Sequence, residues 1–262
     1  MLLAVDIGNT EVTFGLFAGT ELERSWRVAT RPDRTSDEWS IMLRALFQQS
    51  ALDITDVGQS IVASVVPIIT EAVTDGLVDA TGTVPIVAGA TTLPIILDVD
   101  EPQTVGADRM INTLAASKLF GCDTIVVDFG TATTLDCITR DGRFLGGVIM
   151  PGVRTGGDNL IRRAAKLSAT DLSAPDTVIG KRTEECLRAG LIFGAADAVD
   201  GLVRRIRAEW PTRDVPKVIA TGGLAALVAK HSTEIEEVHP DLTLQGLRIA
   251  AEWLGTRGPV PG

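Results

Sequence analysis

The chain has 262 residues, 45% of them hydrophobic and 22% charged, enough to bury a real core as one large domain or two of ordinary size. Its formal net charge of −10 leaves no visible basic face of the kind a broad nucleic-acid binder needs. Three cysteines (Cys122, Cys137, Cys186) without a C-x-x-C spacing, and two histidines (His231, His239), argue against a disulfide framework, a zinc or histidine-based metal site, and a Ser-His triad.

The chain opens on LLAVDIGNTEVTFGLF, residues 2–17. An apolar run ends at Asp6, a small polar loop follows at Gly8-Asn9-Thr10, and a second apolar run begins. No basic leader precedes the run and no stretch of about 18 apolar residues occurs, so neither signal peptide nor membrane span is expected. A cytoplasmic protein is the simplest expectation. Alternating runs on either side of Ala18-Gly19-Thr20 predict a hairpin. In TSDEWSIMLRALFQQS, Thr35 and Glu38 fit a capping box, and Trp39, Met42, Leu43, Leu46 and Phe47 mark one helical face. A buried strand is predicted at 60–66, a helix from Pro67, a strand at 84–89, and a connecting helix at 109–121.

The second half repeats this order. TIVVD ends at Asp128, Gly130-Thr131 follows, and TTLDCIT resumes strand alternation. Asp141-Gly142 predicts a two-residue turn into RFLGGVIM, which Pro151-Gly152 breaks. Helices are predicted over Asp158–Leu167 and roughly Thr183–Trp210, the latter weakened by Gly190, Gly194 and Gly201. VPKVIATGG reads as a strand followed by a helix, and LTLQGLRIAAEWL as a last helix. Each half is therefore a three-strand meander followed by alternating helices and strands, an internal duplication of element order.

Loops rich in Gly, Thr and Asn expose backbone N–H groups and hydroxyls that can bind phosphate oxygens. Asp6 and Asp128 would repel phosphate directly and make sense beside it only with a cation between, or else as simple turn caps. Neither a Walker loop nor a Rossmann G-x-G-x-x-G is present. Gly106-Ala107-Asp108-Arg109 sets a carboxylate beside a guanidinium at a predicted helix start. Asp108 could accept the proton of an attacking hydroxyl and Arg109 could hold an anion, or the pair could be an ordinary helix N-terminus.

Two halves that each begin with a strand-Asp-Gly-Thr-strand hairpin resemble the acetate and sugar kinase, Hsp70 and actin superfamily. That resemblance implies an α/β fold of two duplicated RNase H-like domains with a nucleotide cleft between them. The expected division is residues 1–117, with a C-terminal helix at about 245–262, and residues 118–244. Thr221-Gly222-Gly223 resembles the adenosine-side loop of that fold. More narrowly, DIGNTEVTFGLF, VGADR, VVDFGTATTLDCI, FLGGVIMPGV, IGKRTEECLRAGLIFG, ATGG and LTLQGLR, in this order, resemble the type III pantothenate kinases. The resemblance implies ATP-dependent phosphorylation of pantothenate, the first step toward coenzyme A, by a homodimer. Asp6, Ile7, Gly8, Asn9, Thr10, Glu11, Val12 and Thr13 would form the first phosphate loop, and Thr131 would contact ATP from the second. Asp128 would bind a monovalent cation, K⁺ or NH₄⁺, with Mg²⁺ accompanying ATP. Val99, Gly106, Ala107, Asp108, Arg109 and Thr183 would line the pantothenate site, with Asp108 as general base. Many members of the family carry Tyr at the position of Val99 and Asn at that of Arg182, which bears on substrate affinity. A non-catalytic regulatory relative, or a kinase for another small hydroxy acid, is the alternative.

Overall fold

The computed structural model describes residues 1–90, 92–164, 167–168 and 170–255. The first half runs β1 (Leu2–Ile7), β2 (Glu11–Ala18), β3 (Glu21–Ala29), α1 (Ser36–Gln49), β4 (Gln59–Ser64), α2 (Pro67–Thr81), β5 (Ile86–Val87), β6 (Ile96–Leu97) and α3 (Ala107–Leu119). The second half runs β7 (Thr124–Phe129), β8 (Ala132–Ile138), β9 (Arg143–Pro151), α4 (Val153–Arg163), α5 (Thr183–Ala208), β10 (Lys217–Thr221), α6 (Ala225–Val228), β11 (Glu237–Val238) and α7 (Leu242–Gly255). These elements form two compact units. One comprises Met1–Ile96, Asp100–Ala115 and the chain from Thr243. The other comprises Leu97–Val99 and Ala116–Leu242.

The first unit is built on a five-stranded sheet in the order β3-β2-β1-β4-β5, with β1 antiparallel to β2 and parallel to β4. Strand alternation sends Leu3, Val5 and Ile7 of β1, and Val12, Phe14 and Leu16 of β2, into one core with Trp39, Leu43 and Phe47 of α1 and Ile69, Val73 and Leu77 of α2. Helix α1 starts at the expected capping box, in which Thr35 and Glu38 bond each other's backbone N–H. The opposite face takes α7. Gly15 leaves room for Leu244, and Gly246 lets α7 approach the Ile111 carbonyl of α3. Thr243 Oγ1 donates to Asn112 Oδ1 (2.8 Å) across the same pair of helices.

The second unit repeats the pattern as β9-β8-β7-β10-β11, with β6 added beside β9. The copy extends to register. Asp6 lies opposite Thr13, and Asp128 lies opposite Thr134. Even the β-bulge recurs, at Leu16/Phe17 in β2 and at Cys137/Ile138 in β8, three residues beyond each of those threonines. Ile125, Val127, Phe129 and Leu135 form the core with Ile192, Ala196, Val199 and Val203 of α5. That buried face carries α5 unbroken through three glycines, each costing about 1 kcal/mol in propensity.

Several elements depart from expectation. Helix α4 begins at Val153 rather than Asp158, because Gly152 takes the extended N-cap conformation and Val153 enters the core. It ends at Arg163, and residues 165 and 166 of the expected helix lie outside the described residues, as do 256–262 at the end of the last one. The strand expected at 84–89 is only Ile86–Val87, since Pro85 has no N–H to give the ladder. Among the described residues no helix is long and apolar enough to cross a membrane.

A buried carboxylate, Asp200 of α5, ties down the segment after α6. Burial alone would raise its pKa. Bonds from the Ser232 and Thr233 hydroxyls and from the Thr233 and Glu234 amides outweigh that and hold it below the ordinary value. A carboxyl with a depressed folded-state pKa stabilises the fold above its unfolded pKa of about 3.9 and loses that contribution as pH falls through the lower folded value. Urea unfolding between pH 5 and 3 should therefore show stability falling with pH below about 4, with a shallower fall in Asp200→Asn. Equal slopes would show that Asp200 carries none of the acid sensitivity.

Candidate active site

In the first unit, Val65 places the Gly106–Arg109 turn at the carboxyl end of β1 and β4, where the Gly8–Thr10 loop begins. The Val65 N–H, just past β4, donates to the Ile7 carbonyl at the end of β1. The Val65 side chain lies against Gly106. Open α/β sheets bind ligands outside the carboxyl ends of their strands. Asp6 and Thr13 are half-buried on neighbouring strands, while Asn9, Thr10 and Glu11 are exposed. Ile7 and Val12 are fully buried core residues, so they can serve a ligand only by placing the backbone between them.

The loop is held from outside itself. The Gly8 N–H donates to the Glu11 carbonyl (3.0 Å). Beyond β3, the Thr30 hydroxyl donates to the Gly8 carbonyl (2.6 Å) and the Thr30 N–H to the Thr10 carbonyl (2.9 Å).

The G-A-D-R turn has a steric logic. Asp108 sits in the first turn of α3 and its Oδ1 accepts the Arg109 N–H (2.8 Å). That carboxylate folds back over Gly106, where a Cβ would stand 2.5 Å from Oδ1. Any residue but glycine would push the acid away. Arg109 is half-buried with its Nη2 covered, and Thr113 bonds its carbonyl.

In the second unit, Asp128 is half-buried near the end of β7, paired with Thr221 of β10 as well as with Thr134. Gly222 follows at φ +91°, and a Cβ there would lie 2.4 Å from Asp128 Oδ1 and 2.8 Å from the Phe129 backbone. The carboxylate can pack this closely against the turn after β10 because residue 222 is glycine. The Thr131 carbonyl accepts the Gly152 N–H (3.2 Å) and the Thr155 hydroxyl (2.7 Å), so the start of α4 grips the Gly130-Thr131 turn. Val99 lies near Gly146, whose φ is +105°. Thr183 is the exposed first residue of α5, preceded by an exposed Arg182 at the N-cap.

Among the described residues no cluster of three or more Asp, Glu, His or Cys is placed to hold a metal ion. A hard cation completed by phosphate oxygens and water needs only one or two carboxylates, and half-buried Asp6 and Asp128 each suit that.

Sequence reasoning singled out the loops and the G-A-D-R turn, but not Thr30, Gly152 or Thr155. The link from Thr30 to its loop lies in strand register. The hairpin turn at 18–20 fixes a pairing that sets Thr30 opposite Thr10.

A family model described as Type III pantothenate kinase matches residues 2–205. A curated Type III pantothenate kinase from Moorella thermoacetica is 43% identical over 255 residues, covering 96% of this chain and 99% of that protein. Among solved structures, the activator of the 2-hydroxyisocaproyl-CoA dehydratase from Clostridium difficile, with bound ADPNP, aligns at TM-score 0.55 and 14% identity over 100% of this chain and 99% of that one. MreB 5 of Spiroplasma citri bound to AMPPNP aligns at TM-score 0.55 and 11% identity over 97% of each. With the repeated sheet order, these likenesses establish an α/β fold of two RNase H-like domains of the actin-like ATPase kind.

Proposed function

Because this chain belongs to the type III pantothenate kinase family, we infer that it transfers the terminal phosphate of ATP to pantothenate, giving 4'-phosphopantothenate and ADP on the way to coenzyme A. The observation that carries this is a match at 43% identity across 96% of the chain. Its residues hold the parts such a transfer needs: phosphate-binding loops, cation-binding carboxylates and a base.

We assign the parts as follows. Asp108 is the general base. With Oδ1 engaged by the Arg109 N–H, its other oxygen takes the proton from the pantothenate hydroxyl as that oxygen attacks phosphorus. Arg109 holds the pantothenate carboxylate or a phosphoryl oxygen. Gly106 and Ala107 shape that end of the pocket, and Val99 and Thr183 contact pantothenate. Asp6 to Thr13 cradle the ATP phosphates, with Thr131 contacting ATP as well. Mg²⁺ travelling with ATP, near Asp6, would neutralise phosphate charge, and a monovalent cation, K⁺ or NH₄⁺, would sit at Asp128. The working form is a cytoplasmic homodimer.

An ADP-release assay tests the reading. Purified protein with ATP, Mg²⁺ and K⁺ should release ADP only when pantothenate is added, and more slowly when Na⁺ replaces K⁺. Folded protein that releases no pantothenate-dependent ADP would turn the assignment toward a non-catalytic relative. Val99, apolar where many relatives carry Tyr, makes other small hydroxy acids the natural panel in the same assay.

A further inference from the structure

We propose that Thr30 and Thr155, which lie outside both loops, are positioning residues that hold the loop amides toward the ATP phosphates by restraining the loop carbonyls. The proposal rests on the reading that both loops contact ATP. Each threonine follows the third strand of its own unit's meander and donates its hydroxyl to a carbonyl of the loop between the first two strands. The Thr30 hydroxyl takes the Gly8 carbonyl while its N–H takes the Thr10 carbonyl. The Thr155 hydroxyl takes the Thr131 carbonyl together with the Gly152 N–H. Every loop carbonyl named here is thus bound by a donor from outside its loop.

Peptide planarity gives these bonds their meaning. A carbonyl and the N–H of the next residue point in opposite directions across one rigid plane. Fixing the Gly8 carbonyl toward Thr30 turns the Asn9 N–H the other way, and fixing the Thr131 carbonyl does the same for the Ala132 N–H. A carbonyl oxygen left to swing would also present negative charge to a phosphate. Gly-Asn-Thr and Gly-Thr are loose segments, and a loop frozen only on ligand binding binds more weakly than one held beforehand. Preorganised donors of this kind stabilise charge without reorganising.

The hydroxyls can be removed without touching the ladder. Thr30→Val keeps the Thr30 N–H bond to Thr10, and Thr155 is exposed on α4, so both variants should fold. Binding of a fluorescent N-methylanthraniloyl ATP, with Mg²⁺, is measured for the wild type, Thr30→Val, Thr30→Ser, Thr155→Val and Thr155→Ser. Each Val variant should bind nucleotide about five- to tenfold more weakly, the worth of one hydrogen bond, and raise the KM for ATP in step. Each Ser variant restores the hydroxyl and should lie within about twofold of wild type, and the KM for pantothenate should move by no more than that in any variant. Val variants that bind like wild type, Ser variants as weak as Val, or equal losses for ATP and pantothenate would each overturn the proposal. The titration needs no pantothenate. A wild type that binds nucleotide but does not phosphorylate pantothenate would therefore sink the substrate assignment while the titration still decides the roles of Thr30 and Thr155. A wild type that binds no nucleotide would sink both.

Discussion

Asp108→Asn should lower kcat for pantothenate phosphorylation by about 100- to 10,000-fold, the usual worth of a general base. The fold and both KM values should stay within about threefold, because the substitution changes almost nothing but basicity. The carboxamide oxygen can still accept the Arg109 N–H, and Gly106 still offers the space the side chain folds into. Losing only kcat is the signature of an interaction made in the transition state. Steady-state kinetics with a thermal melt on the same sample would check it. A variant within tenfold of wild type in kcat would remove Asp108 from proton transfer, and a matching rise in the KM for pantothenate would make it a binding group instead.

Gly222→Ala should be strongly disruptive to the second unit. It combines a left-handed backbone at φ +91° with a Cβ 2.4 Å from Asp128 Oδ1 and 2.8 Å from the Phe129 backbone. Strand β7 cannot move aside, since it is bonded to β8 on one edge and β10 on the other. The expected loss is about 2–4 kcal/mol in urea unfolding, from backbone strain and overlap together. Activity in the surviving folded protein should respond less to K⁺, because the carboxylate assigned to that cation is the group displaced. Gly58→Ala is the control: nothing lies within 4 Å of its Cβ position, and it should be close to neutral. A Gly222→Ala protein as stable as Gly58→Ala would mean the turn after β10 does not press on Asp128.

These two residues also show what could be read from the chain alone. Gly106 and Asp108 are two residues apart, and their relation is local, so the motif is visible as a motif. Gly222 and Asp128 are neighbours only through the parallel register of β7 with β10, which no short segment encodes. The meanders were legible for the same reason as the G-A-D-R turn: alternation and tight turns such as Ala18-Gly19-Thr20 act over a few residues. Strands β6 and β11, two residues each, are too short to show a period, and they exist because a longer neighbour offers an edge. The start of α4 was misplaced because Gly152 reads as a breaker, whereas its bond to the Thr131 carbonyl makes it the entry to the helix.

The first unit is discontinuous, and this bears on how the protein is made. Strands β1 and β2 leave the ribosome early, but the Leu244 side chain that fills the space over Gly15 belongs to a helix made roughly 230 residues later. At about 5–20 residues per second, one face of the first sheet waits roughly 11–46 seconds without that cover. The second unit, apart from Leu97–Val99, is one continuous stretch and can complete its core in the meantime. The half of the message translated first is the half that finishes folding last.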